Sequence, residues 1–460
     1  MTAKPVPPQS PTTTSPTRTG EAPNRRRFLG LSAAAGLALA GGLPVSAATA
    51  SPDTSTDTVA GQAASTAFRT ALSVSPFTEL VLGGTALTDG ARTATTVEGV
   101  QRLFMAHGGN ELFARVCTRR AANENGAEHG FERGILRARL ARKLGLPLNV
   151  ELGLWAVYGD ISHQPGPDFA DYPAITLPGP WESLTLDQMT RAMRQYGALA
   201  ALQILGTGVR VNAWDLGNEV EFGVAGVGVR SFTTANSYWS YTAPDAVDPE
   251  IGRMDAYTLM GMPDADRLAW LRSLLGPSTG RLLAAVAAGI RSVDPCARFS
   301  THTSVIAMQF PGLAAAFWQA MADAGFSVQE FGTSYYPTSV TVGDQLALFK
   351  STATELHDAF GKKVFVAEGA YPSGAVPPPL SWNATVPGYP QTPQGQYAFL
   401  RDLTAWGANS GAVSGIRPWA PEYCTGAWQT MSLFGPPTSG LAAAAPALNA
   451  MADGLGQAGA

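Results

Sequence analysis

Cysteine is scarce: the 460 residues hold three, none in a C-x-x-C pair, which excludes the disulfide framework that staples small secreted domains. Cys117 and Cys424 both follow apolar runs, which leaves a bridge between them open. Cys296 opens such a run and reads as a buried core thiol. The five histidines (His107, His129, His163, His302, His357) are scattered and form no H-E-x-x-H pair, so no catalytic zinc site is expected. A G-x-S-x-G elbow, a phosphate-binding Walker loop and a G-x-G-x-x-G after a strand are all absent. The glycine-rich stretch at 223–230 lacks the required spacing. Charged residues make up only 14% and the net charge is −4, which argues against nucleic acid or an anionic membrane as partner, since both require clustered Lys and Arg. No apolar run reaches the roughly 20 residues of a membrane-spanning helix.

What the chain has is apolar residues (45%), 50 Gly and 34 Pro, the composition of a globular protein with a sizeable core and many turns. Its first 24 residues are rich in Pro, Thr and Ser and are expected to be disordered. Arg25, Arg26 and Arg27 follow, then Phe28, Leu29 and a short apolar run ending in the small residues Ala48-Thr49-Ala50. This pattern resembles a twin-arginine export signal over residues 1–50, and so implies a secreted or extracytoplasmic protein without a membrane span after cleavage. Residues 1–50 carry five of the 31 Lys/Arg and one of the 35 Asp/Glu, so the remainder stands near −8. Such a balance suits a neutral substrate. Residues 51–75, polar and Ala-rich, read as a linker or extension before one catalytic domain at 76–460, expected as a monomer.

From there, short β-branched or apolar runs alternate with segments of helical period. The runs fall near 80–84, 111–116, 146–154, 208–217, 297–303, 327–336, 362–368 and 411–419. Eight strand–helix units in series predict an α/β fold in which a parallel sheet closes as a (β/α)8 barrel, a TIM barrel. The connections after strands three and four are far too long for plain crossovers. In a barrel such excess belongs to the C-terminal rim, where sites are built. Tyr238, Trp239 and Tyr241 in the second of these connections are placed either to stack on sugar rings or to pack the loop onto the barrel.

Two carboxylates end strand-like runs in the same manner: Glu219 in W-D-L-G-N-E and Glu368 in V-F-V-A-E. One strand-end glutamate can equally be a rim salt bridge. Two of them, both flanked by small residues, suit glycoside hydrolysis with retention, in which one carboxyl protonates the leaving oxygen and the other attacks the anomeric carbon. Glu219 is the candidate acid/base and Glu368 the candidate nucleophile. Asn218 is placed to bond a sugar 2-hydroxyl, and Arg115 with Tyr335 or Tyr336 to donate to the nucleophile. By strand alternation Glu368 should share the inward face of Val364 and Val366. This mechanism requires no cofactor, and no Asp-rich loop suggests calcium.

Several segments, in order from about 111 to 421, carry a family resemblance. They are Arg115-Val116, Gly217-Asn218-Glu219, His302, the run Gly332-Thr333-Ser334-Tyr335-Tyr336-Pro337, the run from Val366 through Glu368 to Tyr371-Pro372, Pro393-Gln394-Gly395-Gln396, and Trp419-Ala420-Pro421. The chain resembles glycoside hydrolase family 53, the endo-β-1,4-galactanases of clan A. The resemblance implies a retaining galactanase acting on a polysaccharide, with Glu219 and Glu368 catalytic and with Arg115, Asn218, His302, Tyr335, Tyr336 and Trp419 among the substrate-binding residues. Asp160 and Gln164 match the family's segment after strand three. In the same comparison Gly153, Ala156, Cys117 and Ala420 stand where the family has His, Asp, Trp and Glu. The catalytic pair is thus kept while groups that would bind sugar are changed, which leaves room for a different β-glycan such as a glucan or mannan, or for a barrel that binds glycan without cleaving it.

Overall fold

The computed structural model describes residues 68–121, 129–161, 164–229, 254 and 256–458. The export signal and Tyr238, Trp239 and Tyr241 lie outside the described residues. Eight parallel strands form the centre: β1 (Arg69–Thr70), β2 (Leu112–Val116), β3 (Leu148–Leu152), β4 (Val211–Leu216), β5 (Phe299–Ser300 and His302–Thr303), β6 (Phe331–Tyr335), β7 (Val364–Gly369) and β8 (Val413–Pro418). They pair in two arcs, β2-β3-β4-β5 and β5-β6-β7-β8-β1. The arcs meet at β5, whose two short pieces each serve one of them. Across the remaining seam, between β1 and β2, the Asn110 N–H donates to the Thr70 carbonyl at 3.1 Å.

The helices that cover the barrel are α1 (Val97–Ala106), α2 (Phe131–Leu144), α3 (Leu186–Leu205), α4 (Gly276–Arg291), α5 (Leu313–Asp323), α6 (Gln345–Phe360), α7 (Pro393–Ser410) and α8 (Ala450–Ala458). Their starts are written locally. Thr185 and Gln188 form a capping box on α3, Asp344 accepts from the Leu346 and Ala347 N–H groups on α6, and Thr392 precedes Pro393 on α7. No helix among the described residues is long and apolar enough to cross a membrane.

The first strand lies elsewhere than expected. The run at 80–84 falls mostly in a short helix, Thr78–Leu82, which buries Thr78 and Val81 one turn apart. The barrel instead takes β1 from within the supposed linker 51–75, so the domain already includes residues 68–75. The strand was disguised by its composition. Inside the barrel it places the charged Arg69 and, just after it, the small Ala71 against Phe365 and Ala367, and a strand that buries such side chains looks polar on paper. Near the C-terminus, Leu441–Ala443 pairs with Ala86–Thr88 as an outlying strand, so the last helix is confined to α8.

Side chains pointing out of the barrel (Ala114, Val150, Trp214, Val364, Val366) form the large core beneath the helices. Those pointing in are layered. At the bottom, Arg69 lies 3.4 Å from Glu111 and also pairs with Glu330, while Asn212 donates to Glu111 at 2.6 Å. Above them Phe365 faces Arg69 at 3.9 Å and Phe113 faces Arg417 at 3.6 Å, ring centre to guanidinium carbon. The expected alternation on β7 therefore needs correction. Phe365 and Ala367 are the inward residues, and Val364 and Val366 face the helices. Glu368 reaches the site because the register shifts between Val366 and Gly369 against β8 and between Thr333 and Ser334 against β6.

Helices α3 and α4 approach so closely that a Cβ on Gly289 would sit 2.0 Å from the Arg194 carbonyl oxygen. Gly289→Ala should therefore destabilise the fold by about 1–3 kcal/mol. A thermal melt equal to that of the unmutated protein would show that the two helices separate without cost.

Candidate active site

The top of the barrel is a layer of buried charge. From β2, Arg115 places Nε 2.5 Å from Glu151 of β3, and its Nη2 contacts Glu368 at the end of β7. Arg417 of β8 lies 3.4 Å from Glu151 and 3.7 Å from Asp215 of β4. His302 of β5 bonds Asp215 through Nδ1 at 3.1 Å and the Asn218 Oδ1 through Nε2 at 2.6 Å. Both partners are acceptors, so both ring nitrogens must carry hydrogen and the ring is an imidazolium. Burial opposes that charge, but Asp215 outweighs it and holds the His302 pKa above its ordinary value. For Asp215 burial pushes upward, and His302 and Arg417 pull its carboxyl below the usual carboxylate range. Three cations (Arg115, Arg417, His302) thus face three acids (Glu151, Asp215, Glu368), an arrangement in which buried charge is tolerable.

Glu219 stands apart from this balance. β4 ends at Leu216. Gly217 (φ +82°) turns the chain, and Glu219 itself is held in left-handed backbone at φ +52°, a costly conformation for a residue with a side chain. Its neighbours fix it there. The Gly217 N–H donates to the Leu152 carbonyl at 2.7 Å and the Val220 N–H to the His302 carbonyl at 3.1 Å. The Asn218 side chain donates to Gly159 at 2.8 Å, accepts from His302, and leaves a second amide hydrogen for a ligand. Gln164 bonds the Asn218 and Asp160 carbonyls. Glu219 Oε2 accepts the Ile161 N–H at 3.0 Å. Burial, then the negative charges of Asp160 and Glu221, push its carboxyl up to about 7, against the smaller downward pull of that N–H.

Glu368 has opposite surroundings. The Tyr336 hydroxyl donates to Oε2 at 2.6 Å, Arg115 reaches Oε1, and His302 Nε2 lies 4.0 Å from Oε1, a donor set complementary to a carboxylate anion. Trp419 lies under the Arg115 guanidinium at 4.0 Å and joins an aromatic wall with Phe77, Tyr336, Trp382 and Trp428.

Of the residues singled out in the sequence, Arg115, Asn218, Glu219, His302, Tyr336, Glu368 and Trp419 converge here, with Asp160 and Gln164 behind Glu219. Tyr335 does not. It points outward between helices, stacked on Phe349, with its hydroxyl donating to the Gln345 carbonyl at 3.2 Å. Strand parity allows only one of two consecutive tyrosines to face inward. Trp239 lies outside the described residues. Glu151, Asp215 and Arg417 had been given no role. Each is a lone charge near the end of a short, otherwise largely apolar strand, in step with Arg115, and that was the available signal.

The changed positions have structural counterparts. Gly153 is required because a Cβ there would come within 2.3 Å of the buried Trp155 indole. Ala420 is buried at φ +45°. Two residues later Glu422 turns back to accept from the Ser75 N–H at 2.8 Å and hydroxyl at 2.7 Å. All three cysteines are free. Cys117 and Cys424 are buried and unbridged, while Cys296 is exposed rather than a core thiol, because its N–H caps onto Asp294 in the turn before β5.

Glu151, His302 and Glu368 bring ligand atoms within 4.8 Å of one another. They do not fit a resident metal ion. Arg115 already bridges the two glutamates, and the imidazolium has no free lone pair.

Two glutamates in contrasting surroundings at the C-terminal end of a (β/α)8 barrel place the chain among the barrel glycosidases. The sequence model described as Glycosyl hydrolase family 53 matches residues 277–444, and that segment of the chain is similar to the family. The matched segment holds Tyr336, Glu368 and Trp419, while Arg115 and Glu219 lie before it. Among solved structures, the Ignisphaera aggregans GH53 catalytic domain is 18% identical, with 85% of this chain and 96% of that one covered at a TM-score of 0.60. A fungal β-1,4-galactanase is likewise 18% identical, covering 84% and 99% at 0.60. No curated protein sequence matches the chain.

If Asp160 raises the Glu219 pKa as the geometry indicates, a 13C-detected titration of the Glu219 carboxyl should show a midpoint near pH 7 that falls in Asp160→Asn. An unmoved midpoint would assign the shift to burial and Glu221.

Proposed function

We propose that the protein is a secreted, retaining glycoside hydrolase that cleaves β-galactosidic linkages in a polysaccharide. The contrast between the two glutamates carries this proposal. One carboxyl, Glu219, has a pKa pushed up to about 7 and can carry a proton, while Glu368 is surrounded by donors. Glu219 protonates the departing glycosidic oxygen as Glu368 attacks the anomeric carbon, forming a glycosyl ester. Glu219, now ionised, takes a proton from the incoming water, which releases the sugar and restores both groups. The free amide hydrogen of Asn218 is available to the sugar 2-hydroxyl, and Arg115 and Tyr336 hold the nucleophile in line. The similarity to family 53 supports galactan as the substrate.

The Trp155 indole filling the space beside Gly153 favours a second reading, a different β-glycan on the same chemistry. A polysaccharide screen separates the two. Galacto-oligosaccharides released from galactan support the first, and activity on glucan or mannan with none on galactan supports the second. Binding without any product would leave a glycan-binding barrel. Residues 1–50 support export by the twin-arginine route, which is tested by fusing them to a reporter and comparing it with Arg25→Lys/Arg26→Lys.

On the true substrate, Glu219→Gln should cost about 10²–10⁴-fold in rate and Glu368→Ala more. Near-normal turnover in either would sink the assignment. Proton NMR of the first-formed product should show the β anomer, whereas the α anomer would exclude a double displacement. Because Glu219 must be protonated to donate, kcat/KM should fall as pH rises through about 7, and a profile flat from pH 6 to 8 would speak against Glu219 as the acid.

A further inference from the structure

The chain is acidic overall, yet α2 carries Arg133, Arg137, Arg139, Arg142 and Lys143 in 14 residues. Arg133 and Arg137 turn to Glu79, at 2.6 Å each. The other three face α3, where with Arg120 they line an open cavity of about 800 Å³ walled also by Leu202 and Gln203. Among the described residues, no acidic side chain lines it. None of its lining residues belongs to the catalytic cluster.

Cations in the last turn of a helix are ordinary companions of its dipole, and that accounts for two of the four. Arg142 donates to the Thr207 carbonyl at 2.8 Å and Lys143 pairs with Glu98 at 2.5 Å. It does not account for Arg139, which stands before the last turn and has no hydrogen-bond or ion-pair partner among the described residues. Nor does it account for Arg120, which comes from the β2–α2 connection, bonds Gln203 at 2.5 Å and lies 3.6 Å from Glu132. Beside them Leu202 is 57% exposed, an apolar surface within a positive groove. The unpartnered Arg139 guanidinium, with Arg120, Arg142 and Lys143 around it and an exposed aliphatic patch beside it, matches a polymer that presents carboxylates and the C–H faces of sugar rings.

We propose that the groove between α2 and α3 is a second binding site, separate from the cleft, for an anionic polysaccharide of the polyuronate type. The choice of a polysaccharide among polyanions rests on the proposed action on glycans. The groove would hold the protein on a charged matrix while the cleft works on a neutral chain.

The test is calorimetric binding of the unmutated protein to soluble polygalacturonate, with hydrolysis of neutral galactan measured separately. Failure of the hydrolysis assay would count against the catalytic proposal alone. Binding is expected, weakening as salt rises because the contacts are exposed charges. Arg139→Glu should bind about tenfold more weakly with unchanged hydrolysis and an unchanged thermal melt, and Arg139→Lys should keep the affinity. Absence of binding, equal binding by the charge-reversed protein, or tighter binding to duplex DNA or anionic lipid vesicles than to polygalacturonate would each overturn the proposal.

Discussion

The Arg115 guanidinium is the interaction on which the rest of the site depends. It lies in a buried layer with Glu151 and Glu368 as partners and the Trp419 ring beneath it. Burying a cation so deeply costs several kcal/mol unless it is fully paired, and its pairing fixes what the neighbours can be. With Arg417 and His302 it matches the charges of Glu151, Asp215 and Glu368. A fourth anion would be in excess, and Glu219 accordingly lies among groups that disfavour its ionisation. The different environments of the two glutamates thus follow from one balance of buried charge.

Most of the barrel was legible in the sequence, because seven of its strands fall in β-branched or apolar runs separated by helical periodicity. The exception, β1, places Arg69 and then Ala71 where other strands bury larger apolar groups, and so carries little hydrophobic signal. The candidate site was legible where a polar residue ends a strand: Arg115, Asn218, Glu219, His302 and Glu368. Two features were hidden. The bulge that turns Glu368 inward leaves no mark in the local pattern, and the choice between Tyr335 and Tyr336 depends on register with β7. Glu151, Asp215 and Arg417 were visible as lone charges, but their partners lie on other strands and could be assigned only in three dimensions.

The altered positions form a coherent set. Gly153 admits the Trp155 indole, and Glu422 ties the exit of β8 to Ser75 and Thr78 beyond β1. Gly153 and Ala420 follow β3 and β8, the strands that carry Glu151 and Arg417 of the charge layer.

The two arcs of strands that meet at β5 divide this machinery. Arg115, Glu151, Asp215 and Glu219 belong to one arc; Tyr336, Glu368, Arg417 and Trp419 belong to the other. Neither half holds both glutamates, and each alone would expose half of an interlocked set of charges. The two glutamates therefore come together only where the arcs close on each other, and the paired site is a property of the complete barrel.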